Sequence, residues 1–131
     1  MNTPPLGEFR WKNRLIIIAT QAHTDQLIQA QLDVQAQHMA EWQDRDLVWL
    51  RISSSGGLDQ TGQAYSAKAC RAILKRYGLD DSRSQVILVG KDGEQKMQKF
   101  ASPFSAEELF NVIDRMPMRR QEMKKGEPKP R

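Results

Sequence analysis

Apolar residues along this chain follow two rhythms. Leu15-Ile16-Ile17-Ile18-Ala19 is a continuous run rich in β-branched residues, the pattern of a strand buried on both faces. Further on, Leu27, Ile28, Leu32, Met39 and Trp42 fall on one helical face opposite a glutamine-rich one. The spacing predicts a long helix, capped by Thr24 or Asp25 and ending near residue 42. Residues 46–52, with Leu47, Val48, Trp49, Leu50 and Ile52, read as a second strand. Ser53-Ser54-Ser55-Gly56-Gly57 opens a flexible loop to about residue 62.

A second helix over about 66–77 places Cys70, Ile73, Leu74 and Tyr77 on one face, with Gly78 at the C-terminal cap position. Residues 85–89 form a third strand and 95–100 its antiparallel partner, joined through a primed turn at Asp92-Gly93. The last helix carries the best local signals: a capping box of Ser105 with Glu108 and a staple of Phe104 with Leu109. Its apolar face is Leu109, Phe110, Val112, Ile113 and Met116, and Pro117 stops it. The order β-α-β-α-β-β-α has two crossovers, which imply parallel strands, and a hairpin, which adds antiparallel ones. This is an α/β chain with the element order of the thioredoxin-like fold: a mixed four-stranded sheet with helices on both faces.

Composition narrows the chemistry. A chain of 131 residues with 39% hydrophobic and 27% charged residues is expected to form one soluble globular domain, over residues 1–120. Gly126, Pro128 and Pro130 mark residues 121–131 as a basic, disordered tail. The single cysteine, Cys70, excludes an intrachain disulfide, a CxxC pair and a multi-cysteine zinc site. No cofactor or metal is expected. No apolar run approaches the roughly 20 residues of a membrane span. Residues 1–10 show no apolar core of a secretion signal, so the chain reads as cytoplasmic. A secreted or periplasmic protein whose signal had been removed would read the same.

The net charge is +4, from 20 Lys/Arg and 16 Asp/Glu. Residues 114–131 hold seven of the basic and three of the acidic residues, so the excess sits there and the rest of the chain is neutral. That distribution argues against a nucleic-acid face across the domain. Glu122 and Glu127 interrupt the basic segment, and no aromatic side chains interleave for base stacking.

Three segments carry a family resemblance: Arg10-Trp11-Lys12-Asn13-Arg14, Val89-Gly90-Lys91-Asp92-Gly93 with Lys96, and residues 113–123, Ile-Asp-Arg-Met-Pro-Met-Arg-Arg-Gln-Glu-Met. Over about residues 6–124 the chain resembles the domain of unknown function 4174 family. That family occurs as small bacterial proteins and as a module of vertebrate sushi-repeat-containing and matrix proteins. The resemblance implies a thioredoxin- or peroxiredoxin-like fold with no settled activity, and adhesion or assembly in the matrix proteins.

In redox-active thioredoxin folds two cysteines stand where the first strand meets its helix, and the helix N-terminus favours the thiolate. Here that stretch is Ala19-Thr20-Gln21-Ala22-His23-Thr24-Asp25, and Ala22 and Asp25 fall at the cysteine positions. The proline expected before the third strand is absent as well, since the residues there are Ser84-Gln85-Val86. Cys70, on an apolar stripe, reads as a small buried hydrophobe before it reads as a nucleophile.

The candidate binding residues are Thr20, His23 and Thr24 at the helix start and Arg115, Arg119 and Arg120 in the basic segment. His23 reads first as an ordinary loop residue and His38 as a solvated mid-helix residue. The segment with Met116, Met118, Met123, Arg119 and Arg120 has a second reading, as a clasp: methionines packed on the body and arginines paired with acids. The leading expectation is a non-catalytic module, a monomer or weak dimer, that binds a protein or small ligand. The alternatives are a thiol-dependent oxidoreductase using Cys70 and an electrostatic adaptor working through the basic segment.

Overall fold

The computed structural model describes residues 6–21 and 26–126. Strand β1 (Arg14–Ala19) is buried at every position, as its continuous apolar run requires. Its pleat sends alternate side chains to opposite faces. Leu15, Ile17 and Ala19 enter one core cluster, and Ile16 and Ile18 enter the other. Burying each isoleucine contributes about 1.5–3 kcal/mol, which makes β1 the spine of both cores.

Helix α1 (Gln26–Gln37) is followed by a short α2 (Met39–Asp44), not continuous with it. The one long helix expected there is broken at His38, whose backbone (φ −133°, ψ 41°) leaves the helical region. The break re-aims the apolar face: Trp42 is fully buried, whereas Met39 is 44% exposed. His38 therefore sits at a joint, where its ring meets Phe110 edge-on at 6.1 Å and Nδ1 lies 3.1 Å from Glu41. The caps assigned to Thr24 or Asp25 lie outside the described residues.

Strand β2 (Leu47–Ser53) pairs parallel with β1. The expected flexible loop after it is instead a hairpin of β3 (Gly56–Asp59) and β4 (Ala64–Tyr65). Two devices build it. A Cβ on Gly57 would stand 2.6 Å from the Arg51 carbonyl oxygen and 3.0 Å from Cys70 Sγ, so only glycine lets the strand lie this close. The buried Asp59 carboxylate accepts hydrogen bonds from Thr61 N and Oγ1, Gln63 N and Tyr65 Oη at 2.6–3.2 Å, which ties the turn together.

Helix α3 (Ala67–Arg76) is capped by Ser66, whose hydroxyl accepts from Ala69 N. It lays Cys70, Ile73 and Leu74 on the Leu15/Ile17 face of the sheet. Strands β5 (Gln85–Val89) and β6 (Gln95–Phe100) complete a six-stranded sheet of order β4-β3-β2-β1-β5-β6, in place of the four strands expected. β5 runs antiparallel to β1, so the second crossover does not give a parallel neighbour. The link after α3 carries the chain back to the C-terminal end of β1, where Gln21 N donates to Asp81 O, before β5 begins.

The Asp92-Gly93 turn is not the primed type. Only Gly93 has positive φ (85°), Gly93 N donates to Gly90 O, and Gly90 N donates to Glu94 O. This is a three-residue loop with glycine at its left-handed position.

Helix α4 (Ala106–Asp114) has both halves of its capping box. The segment before it is held by buried Gln31, whose amide donates to Phe104 O at 3.1 Å and accepts from Phe104 N at 2.8 Å. Pro117 ends α4, as expected, and also opens α5 (Pro117–Gly126), where its missing N–H costs nothing. Ordered helix therefore continues past the expected boundary at residue 120, because α5 is fastened to the body by charge.

Candidate functional site

The two ends of β1 differ in chemistry. At its C-terminal end, where a thioredoxin fold places its cysteines, Thr20 is buried and its hydroxyl lies 2.9 Å from that of Ser84. Asp81 joins the neighbouring loops: one carboxylate oxygen accepts from Ser54 N at 2.6 Å and the other lies 3.4 Å from Gln21 Nε2. Ala22, His23, Thr24 and Asp25 lie outside the described residues. Of the candidates at this end, Thr20 alone is placed, and it is a buried, hydrogen-bonded residue.

Cys70 is fully buried beneath β3. Burial pushes its thiol up, against a smaller opposing pull from a backbone hydrogen bond at Ser53. A desolvated thiol with a raised pKa is a poor source of thiolate.

The opposite end of β1 is dense with charge. Arg14 is fully buried, and its guanidinium meets Glu122 of α5 through Nη1 at 3.1 Å and Nη2 at 3.2 Å. Nη1 also donates to Arg45 O, while Nε has no partner among the described residues. Lys91, from the β5–β6 turn, reaches the same Glu122 at 2.7 Å and Asp46 at 2.8 Å. Arg119 is 4% exposed and bonds Asp114 at 3.1 Å and Asp44 at 2.6 Å and also donates to the Asp44 carbonyl. Arg45 makes two bonds to Asp114 and stacks 4.2 Å from the Phe110 ring centroid. Four cations (Arg14, Arg45, Lys91, Arg119) thus face four acids (Asp44, Asp46, Asp114, Glu122) in one connected, formally neutral cluster.

The titrations follow that geometry. Burial acts to raise Glu122, but hydrogen bonds from Arg14 and Lys91 outweigh it and hold the carboxyl below its ordinary range. Asp114 is held low in the same way by Arg45 and Arg119. Burial acts to lower Arg119, and Asp44 and Asp114 raise it instead. These are groups locked in their charged forms, not groups poised to exchange a proton.

Arg119, expected as a free binding residue, therefore has its donors committed inside the protein, and the clasp describes it better. Met116 packs on the core face shared by α1, α2 and α4, and Met118 and Met123 are half-buried. Arg115 and Arg120 are exposed and form no ion pair among the described residues. Sequence reasoning did not anticipate Arg14, Lys91 or Glu122 as partners. Their signal was present, because each lies in a different one of the three segments that carry the family resemblance.

Among the described residues no group of three or more His, Cys, Asp or Glu is placed to hold a metal ion. No described helix is long and apolar enough to cross a membrane.

The crystal structure of the reduced Plasmodium vivax 2-Cys peroxiredoxin matches with a TM-score of 0.56 at 16% identity, over 92% of this chain and 84% of that one. At that identity the likeness is one of fold, and the fold is thioredoxin-like. Coiled-coil domain-containing protein 80 of Danio rerio is 26% identical over 133 residues, which cover 90% of this chain and 15% of that protein. The family model described as domain of unknown function (DUF4174) matches residues 5–122. That span holds Arg14, Lys91 and Glu122, and the chain belongs to the domain of unknown function 4174 family.

Proposed function

We propose that this protein is a non-catalytic thioredoxin-like module that works by binding. One observation carries the reading: the residues that mark the family converge on a neutral, internally bonded ion cluster at the end of β1 remote from the position of thioredoxin cysteines. Arginine, lysine and glutamate held this way build a rigid surface, and their charges are matched within the cluster and not turned toward a reacting group. The buried, desolvated Cys70 supports the same conclusion.

The test is turnover. Insulin reduction and peroxide consumption should not exceed the buffer rate, and Cys70 should react with a thiol reagent at the rate of global unfolding. Turnover that disappears in Cys70→Ala would overturn the reading in favour of a one-cysteine oxidoreductase.

A further inference from the structure

On the α3 face of the sheet, at the same end as the ion cluster, lies a cavity of about 260 Å³. Its floor is apolar, formed by Leu6, Phe9, Leu15, Ile73 and Val89. Two polar side chains in its lining are already used: Tyr77 Oη donates to Gly93 O at 2.9 Å, and Asn13 Nδ2 donates to Asp46 O at 3.1 Å. The interior therefore offers a ligand apolar contact and little hydrogen bonding.

The rim is different. Two exposed guanidiniums, Arg10 and Arg76, converge on Gly93: a Cβ built there would lie 3.4 Å from Arg76 Nη2 and 3.8 Å from Arg10 Nε. Neither arginine forms an ion pair within 4.0 Å among the described residues, although Glu94 lines the adjoining cleft with Arg76. Arg76 makes a long contact to Gly93 O at 3.4 Å and lies over the Tyr77 ring, 5.4 Å from its centroid. Beside Arg10, at 5.0 Å from its guanidinium carbon, stands the ring of Trp11, which is 57% exposed. Trp11 has φ +70°, a conformation aromatic residues rarely adopt, and a 2.6 Å bond from its N–H to Lys91 O holds it there. Backbone strain of this kind concentrates where a side chain is held for use.

We propose that this cavity binds a small amphipathic carboxylate, such as a medium-chain fatty acid, with its apolar body on the Leu15–Ile73–Val89 floor and its carboxylate on Arg10 and Arg76. A planar guanidinium fork matches a carboxylate in two-bond geometry, and an apolar floor beneath paired cations selects that combination over a neutral or cationic ligand. The proposal rests on the binding reading above and names its ligand class. It also gives the family segments a second role. Arg10 and Asn13 line the cavity while Arg14 enters the ion cluster, and Gly90 and Gly93 line it while Lys91 enters the cluster.

Isothermal titration with octanoate and with octanol tests this on the intact protein. Octanoate should bind one per chain, and octanol at least about tenfold more weakly, the loss expected when a charge-assisted hydrogen bond is removed. Arg10→Gln with Arg76→Gln should erase that preference. Ala72→Phe, an exposed position lining the cavity, should block both ligands while the melting transition stays unchanged. Equal affinity for the two ligands, an unchanged double variant, unimpaired binding in a folded Ala72→Phe, or no octanoate binding at millimolar concentration would each overturn it. These results are separable from the turnover test: redox turnover would sink the non-catalytic reading and leave the cavity standing, and absent octanoate binding would do the reverse.

Discussion

The two ends of β1 are about six residues apart along one strand and have opposite characters. At the Thr20 end, hydroxyls and one buried aspartate close a junction by hydrogen bonds. At the Arg14 end, eight charged side chains interlock and a cavity opens on the reverse face of the sheet. In a thioredoxin fold the first end is where chemistry happens. Here the ion cluster and the cavity lie at the other. The contrast teaches that likeness to a peroxiredoxin locates the sheet and not the site.

The largest expected effect separates the two ends directly. Glu122→Ala leaves the fully buried Arg14 without its carboxylate partner and should cost about 3–5 kcal/mol in denaturant unfolding. A cost under about 1 kcal/mol would mean that the cluster is ornament, and the contrast would fail.

Acid should act on the same end. The carboxyls of Glu122 and Asp114 are held below their ordinary values of 4.5 and 3.8 in the folded protein. Their stabilisation is therefore complete above those ordinary values and is lost as pH falls through the lower folded ones. Wild type and Glu122→Gln should differ most near neutrality and converge below about pH 4.5. Melting curves that stay parallel across that range would refute the assignment.

At the other end, Thr20→Val removes one hydroxyl hydrogen bond and should cost about 1 kcal/mol. The smallest change sharpens the comparison from within the cluster. Asp44 is 66% exposed, so Asp44→Ala should cost less than about 1 kcal/mol even though its bond to Arg119 is 2.6 Å long. If Asp44→Ala matched Glu122→Ala, burial would not be what sets the strength of these pairs.

How much of this was legible in the sequence follows from the range of the forces involved. The β1 run, the Ser105–Glu108 capping box and Gly78 after α3 are local signals, and the structure bears all three out. The β3–β4 hairpin has the sequence pattern of a loop, because Gly56-Gly57 weakens strand propensity. Its order comes from contact with Arg51 and Cys70 and from the Asp59 carboxylate, which a local pattern does not announce. The break at His38 has neither glycine nor proline to mark it. The ion cluster was least legible of all: one could see that the basic segment held acids, but not that Glu122 would find Arg14 and Lys91.

Arg14 and Glu122 are separated by 108 positions, which places the completion of the domain late in its synthesis. A ribosome delivers β1 first and α5 last, so the charge on the first strand has no partner until nearly the whole domain has emerged. Until then the nascent chain carries an unmatched guanidinium at a position destined for full burial, which disfavours early closure of that side of the sheet. A chain cut short before Glu122 would be left with the same unmatched charge. The long-range pair thus acts as a check that favours the completed domain over its fragments.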